Sequence, residues 1–188
     1  MPERGYSRKK QPEAVRRAII NAAQRIAAVR GLADVTIQSV ASDAGVTKGG
    51  VFHHFANKQE LLRAAFDDLL TRIDVEIETH LKTDTGWGSF TRAYVLTLMV
   101  GKQFGIGSPA DAISMSVLSD PEMSRSWQAW LDGRLERHAA TDADPELEIV
   151  RFAADGAWVN YAGSDVPKAR LKSLTDALIA MTRGAITP

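Results

Sequence analysis

There is no cysteine among the 188 residues. That one absence excludes disulfides, thiolate-ligated zinc, iron–sulfur clusters and thiol nucleophiles. No stretch approaches the ~20 consecutive apolar residues that a membrane-spanning helix needs. The opening MPERGYSRKKQPEAVRR is basic but runs into no apolar signal core, so the expectation is a soluble, cytoplasmic protein with no membrane partner. Enzyme signatures are also missing. A phosphate loop ending at Gly101-Lys102 would need glycine where Leu96 stands, and Gly86-Trp87-Gly88 has no third glycine at the required offset. No Gly-x-Ser-x-Gly elbow occurs. Asp142, Asp144, Glu146 and Glu148 lack the glycine of a calcium loop, and Asp144-Pro145 reads better as a helix start. His80 and His138 stand alone on helical stretches. The sequence calls for no cofactor and no metal, and the chain is not expected to be an enzyme.

Net charge is absent as well, with 23 Lys/Arg against 23 Asp/Glu. Its distribution is not even. Residues 1–60 hold ten basic and five acidic side chains, a net of +5, so the remainder carries −5. Such asymmetry fits a nucleic-acid-binding end on an acidic body; a solvated basic tail would give the same count. A composition of 45% apolar and 24% charged residues is that of an ordinary globular chain.

What is present is helix-forming pattern almost throughout. Val15, Ile19, Ala22, Ile26 and Val29 recur every three or four residues from Pro12 to Arg30, leaving Arg16, Arg17, Gln24 and Arg25 outward. Gly31 then ends the helix. Asn57 is placed to cap a long helix with Glu60 as the reciprocal partner, and Leu62, Phe66, Leu69, Ile73 and Ile77 carry its stripe to about Leu81. Ser108-Pro109, Asp120-Pro121 and Asp144-Pro145 each pair a capping residue with proline at the first helical position. No alternating run argues for a strand. The fold class is therefore all-α, with about nine helices expected at 12–30, 37–44, 48–54, 58–81, 89–103, 109–118, 121–139, 145–162 and 167–183.

The informative segment is TIQSVASDAGVTKGGVFHHFANKQELL, Thr36 to Leu62. Thr36 caps a short helix whose inward residues are Ile37, Val40 and Ala41. Gly45 suits the left-handed conformation of a tight inter-helix turn. Thr47 caps a second short helix carrying Val51, Phe52 and Phe55. This is the layout of a helix-turn-helix, whose second helix enters the major groove. Gly49 and Gly50 each cost that helix about 1 kcal/mol against alanine; close approach to a DNA backbone accounts for them, and a frayed helix start is the plainer alternative. Adjacent His53 and His54 point about 100° apart on a helix with no third ligand nearby, so they are not read as a metal site.

Val40-Ala41, Ala44-Gly45-Val46-Thr47-Lys48-Gly49, Phe52, His54-Phe55, Lys58 and Leu61 together resemble the TetR family of transcriptional regulators, over roughly residues 12–62. The rest of the chain resembles it in length and helicity only. The resemblance implies a homodimer on a near-palindromic double-stranded DNA operator, most simply a repressor released by a small-molecule effector. It places Thr36 and Thr47 at helix caps that touch phosphates, Lys48, Gly49, Gly50 and His53 on the exposed face of the recognition helix, and His54 and Lys58 at the phosphate backbone. Phe52 departs from the family's usual tyrosine, which removes one hydroxyl contact. Arg8, Lys9 and Lys10 read either as a minor-groove arm or as a solubilising tail. The expected domains are 1–57, with a basic tail at 1–11, and an effector-binding and dimerisation domain at 58–188.

The body after residue 82 is rich in aromatic and thioether side chains. Phe90, Tyr94, Leu98, Met115, Trp127, Trp130, Trp158 and Tyr161 are the candidates for a pocket holding an apolar or aromatic ligand, with the two tyrosines as polar handles. Each such residue is more often plain core than pocket lining. The segment 145–162 is apolar nearly all round, one stripe being Leu147, Val150, Ala154, Trp158 and Tyr161 and another Ile149, Phe152, Ala153 and Gly156. A helix covered on two sides needs two partners. Leu147, Val150, Ala154, Leu171, Leu174 and Leu178 are the expected dimer contacts, the alternative being that both last helices cover one subunit's core. An effector-independent DNA-binding structural protein is the competing function class.

Overall fold

The computed structural model describes residues 4–183, the side chains of 4–11 and of Val117 excepted. Ten α-helices run in order: α1 (Arg4–Arg30), α2 (Ile37–Ala44), α3 (Lys48–His54), α4 (Lys58–Leu81), α5 (Ser89–Val100), α6 (Asp111–Ser114), α7 (Pro121–Arg137), α8 (Ala139–Asp142), α9 (Pro145–Tyr161) and α10 (Lys168–Met181). Two 3₁₀ turns, Leu32–Asp34 and Met115–Leu118, complete it. Among the described residues there is no strand, and the fold is all-α.

Helix ends follow their local chemistry. Thr36 Oγ1 accepts the Ser39 N–H at 3.0 Å while Ser39 Oγ accepts the Thr36 N–H at 3.0 Å, a reciprocal cap at the start of α2. Gly45 ends α2 at φ +68°. Thr47 Oγ1 takes the Gly50 N–H at 3.0 Å and starts α3. Asn57 Oδ1 takes the Glu60 N–H at 2.9 Å, and Glu60 reaches back to the Ala56 N–H at 2.7 Å, which starts α4. Asp120 and Asp144 cap α7 and α9 with proline at the first position of each.

Four expectations change. Helix α1 begins at Arg4 with Pro12 inside it, eight residues before the pattern placed its start; the proline removes one backbone donor without ending the helix. Residues 8–10, read as arm or tail, are helical in backbone, and their side chains lie outside the described set. The segment expected as one helix at 109–118 is α6 followed by a 3₁₀ turn. Val29, counted in the inward stripe of α1, is 82% exposed, while Ile19, Ile20, Ala22, Ala23, Ile26 and Ala27 are buried.

The chain divides into two compact units, Met1–Asp68 and Leu69–Pro188. The division falls inside α4, eleven residues beyond the boundary expected at 57/58. The first turns of α4 belong with α1–α3 because Leu61, Leu62, Ala65 and Phe66 are buried. Gln24, expected outward, is half-buried and donates from α1 to the Ala65 carbonyl at 3.0 Å and to Asp68 at 2.9 Å.

In the second unit α5 is the central element, buried over ten of its twelve residues and packed against α8, α9 and α10. Asp142, at the end of α8, accepts the backbone N–H groups of Phe90 at 3.2 Å and Thr91 at 2.8 Å. A carboxylate there satisfies orphan donors and meets the positive end of the helix dipole. Arg92 locks the entry to α5, donating to Asp84 at 2.6 and 2.7 Å and to the Thr182 carbonyl at 2.8 Å. This pairing holds the Asp84 carboxyl below its ordinary range. Gly88 just before it sits at φ +73°, and a Cβ there would meet the Thr182 carbonyl oxygen at 2.8 Å, so both backbone and space demand glycine.

Candidate nucleic-acid interface and effector cavity

In the first unit the helix-turn-helix is built from the inside out. Val40 and Ala41 of α2, Val51 of α3 and Phe55 just after it are buried. Their burial leaves Thr47, Lys48, Gly49, Phe52 and His53 on the outer face of α3, all exposed. Phe52 is 51% exposed. A Cβ at Gly49 would lie 3.8 Å from its nearest neighbour, and one at Gly50 3.4 Å. Both are ordinary contacts, so nothing within the protomer requires glycine at either position.

The remaining candidates of this face are less free. His54 is half-buried beside His53, ring centroids 5.2 Å apart and edge to face. Burial, with the charges of His53 and Arg16, lowers its pKa from 6.5. Lys58 donates from Nζ to the Leu32 carbonyl at 2.9 Å and so ties the 3₁₀ turn to the start of α4. An ammonium has two further donors, but this one is already oriented. Arg16 stacks over the Phe55 ring at 5.1 Å, and Arg25 pairs with Asp43 at 2.6 Å. Neither is simply a solvated residue. Thr36 is exposed with its hydroxyl engaged in the α2 cap.

In the second unit a cavity of about 460 Å³ is lined by Leu98, Leu118, Ser119, Asp120, Pro121, Ser124, Trp127, Asp155, Trp158 and Val159. Of the candidates that composition offers, Leu98, Trp127 and Trp158 line it. Phe90, Tyr94, Met115, Trp130 and Tyr161 are not on its wall. Phe90 is buried and stacks on His138, centroids 5.2 Å apart and planes 7° apart. Trp130 donates its indole N–H to Asp74 at 2.7 Å. Tyr94 is fully buried, and its hydroxyl donates to Asp155; burial first, and the Asp155 carboxylate second, push the phenol well above its ordinary range. The polar handle presented to the cavity is thus Asp155, held by Tyr94. Burial raises the Asp155 carboxyl, against the opposing pull of the Tyr94 hydrogen bond and the Arg151 charge. The available sequence signal was a carboxylate set among small and apolar residues, Phe152-Ala153-Ala154-Asp155-Gly156-Ala157-Trp158, in the second half of α9.

Helix α7 carries Trp127 to the cavity and Trp130 and Arg134 to α4. The Arg134 side chain is 1% exposed, donates from Nε to Asp74 at 2.7 Å and pairs with Glu78. Asp74 therefore receives both the guanidinium and the Trp130 indole.

The expected dimer stripe is corrected. Leu147, Val150, Ala154 and Leu178 are buried within the single chain, where α9 and α10 pack on α5; Leu171 and Leu174 are half-buried. The opposite stripe is the open one: Ile149, Phe152 (62% exposed) and Val159 on α9, with Met181 on α10.

An all-α chain with a capped helix-turn-helix in its first unit and a cavity among the helices of its second has the organisation of one-component DNA-binding regulators. Residues 19–65 match the model of bacterial regulatory proteins of the tetR family, and residues 88–183 match a tetracyclin repressor-like C-terminal domain. The transcriptional repressor KstR2 of Mycobacterium tuberculosis is 36% identical over 156 residues, covering 76% of this chain and 77% of the relative. The chain belongs to the TetR family. The transposon Tn10 TetC protein of Escherichia coli is 35% identical over 72 residues, and the regulator TtgR of Pseudomonas putida 43% over 61. Those two matches span 36% and 29% of the relatives' own lengths. The solved structure of the multidrug binding protein EbrR complexed with imidazole shares the fold at a TM-score of 0.72 and 22% identity, over the whole of both chains.

Proposed function

We propose that this chain is a dimeric, sequence-specific DNA-binding repressor whose operator affinity falls when a small molecule fills the cavity of its second unit. The observation that carries the proposal is the outer face of α3. Thr47, Lys48, Gly49, Phe52 and His53 stand exposed on a short helix whose inner residues are buried. In this reading Thr36, Thr47, Lys48, His54 and Lys58 meet phosphates, with free N–H groups of the first turn of α3 beside them. Gly49 and Gly50 let the helix approach a base edge or the sugar-phosphate chain, since nothing in the protomer asks for them. His53 reaches the groove, and Phe52 packs on sugar.

The partner subunit is a second copy meeting the exposed α9–α10 stripe of Ile149, Phe152, Val159 and Met181. A two-fold dimer calls for a near-palindromic operator with half-sites one helical turn apart or a multiple of it. No described helix is long and apolar enough to cross a membrane, and the proposed place of action is the cytoplasm.

Effector binding acts through α4, which holds residues of both units and is separated from α3 by three residues. A ligand against Trp127 shifts α7. The Trp130 and Arg134 grip on Asp74 and Glu78 passes that shift to α4. Each tenfold loss of operator affinity requires about 1.4 kcal/mol of ligand preference for the non-operator conformation.

The test is selection of a random duplex library on the purified full-length protein. Enrichment of one inverted repeat is expected. Retention of duplexes without any sequence preference refutes the reading in favour of a structural DNA-binding protein.

A further inference from the structure

The cavity wall has a charge pattern that says more about its occupant than its apolar area does. Among the described residues its two titratable side chains are both carboxylates, Asp120 and Asp155, and no lysine, arginine or histidine lines it. Trp127 and Trp158 add two indole faces, the aromatic surfaces with the strongest attraction for a cation. Leu98 and Leu118 supply apolar wall. The nearest cation on the same helix is Arg151, one turn before Asp155. It is buried and donates to Thr91 Oγ1 at 2.7 Å and to the Asp142 carbonyl at 3.4 Å. It faces the α5–α8 junction and is not on the wall. Tyr94 completes the surroundings of Asp155 by donating to it from behind.

We infer that the cavity takes an amphiphilic organic cation, an aromatic or alkyl ammonium whose charge sits at Asp155 with Trp127 and Trp158 against its apolar body. The inference rests on the reading of this unit as the effector domain and adds a positive charge to the apolar or aromatic ligand that composition suggests. A neutral ligand would strip water from a part-buried carboxylate and add no partner to the Tyr94 hydroxyl and the Arg151 charge already acting on it, and an anion would meet two like charges. A volume of about 460 Å³ lies within the roughly 300–1,000 Å³ of small-molecule sites.

The experiment uses three probes of nearly one shape: benzyltrimethylammonium, its uncharged carbon isostere neopentylbenzene, and benzenesulfonate. Each is titrated into the full-length protein while tryptophan fluorescence is followed. The cation is expected to bind at least about tenfold more tightly than the isostere, and the sulfonate more weakly than both. Asp155→Asn keeps an acceptor for the Tyr94 hydroxyl; it should erase the advantage of the cation and leave the isostere unchanged. Asp120→Asn keeps the α7 cap and supplies a second, independent reading of the charge. Binding of the isostere as tightly as the cation, or an undiminished preference in both variants, overturns the inference and leaves the effector domain standing. If none of the three binds while operator binding is intact, the effector reading itself fails.

Discussion

Arg134 offers a prediction whose sign and size follow from unequal exposure. Its side chain is 1% exposed, whereas its partners Asp74 and Glu78 are 36% and 51% exposed. Replacing Arg134 by Met keeps most of the stem's packing and leaves two carboxylates that water can reach. The lost charged hydrogen bonds, worth about 1.5–3 kcal/mol each when buried, are discounted by that exposure, so the variant should lose about 2 kcal/mol. Asp74→Ala is the smaller change in volume and the larger in consequence. It leaves a buried guanidinium with Glu78 as its one carboxylate beside the backbone carbonyl of residue 74 and the Trp130 indole N–H without its acceptor, and breaking a buried pair from that side costs about 3–5 kcal/mol. The expected order is Asp74→Ala worse than Arg134→Met, with the double variant less destabilised than the sum. Urea unfolding followed by tryptophan fluorescence at fixed protomer concentration measures it, because all four tryptophans (Trp87, Trp127, Trp130 and Trp158) lie in the second unit. Equal losses, or the reverse order, refute the argument from exposure.

Lys48→Ala should weaken specific and nonspecific DNA alike and reduce the slope of log affinity against log salt by about one, whereas Lys58→Ala, already held by Leu32, should change the slope by less; equal slopes in both would disprove the distinction. Phe52→Tyr should strengthen operator binding by roughly 1 kcal/mol in a gel-shift titration if the ring meets the backbone as proposed, and weaker binding would show a different docking. Phe152→Glu on the open α9 stripe should halve the mass seen in sedimentation and abolish tight operator binding; a dimer that persists would place the interface elsewhere. Gly45→Ala meets no neighbour within 4 Å and should cost only the left-handed backbone penalty of about 1–2 kcal/mol. Gly88→Ala adds a 2.8 Å approach to the Thr182 carbonyl and should lower the melting temperature further than Gly45→Ala does.

The helix-turn-helix was legible because everything that makes it is local. Thr36, Gly45, Thr47 and Asn57 act on backbone groups within four residues, and such hydrogen bonds form whatever the rest of the chain does. The same holds for Asp120-Pro121 and Asp144-Pro145. Periodicity also showed that α9 has two apolar faces. It could not say which face the chain itself covers, since Leu147-Val150-Ala154 and Ile149-Phe152 satisfy the same 3.6-residue repeat. Only the packing of α5 decided that the first is core and the second is open. Val29 shows the same limit, being in register with its stripe but beyond the reach of any element that would bury it. Long-range polar contacts were hidden for a related reason: Gln24 with Ala65, Arg134 with Asp74 and Tyr94 with Asp155 join residues 41 to 61 positions apart. Local sequence thus determined the capped helix starts at Thr36, Thr47, Asn57, Asp120 and Asp144 and the layout of the helix-turn-helix. The tertiary structure alone decided which carboxylates line the cavity, because a side chain's neighbours across helices depend on how those helices pack, and no spacing along one helix encodes that.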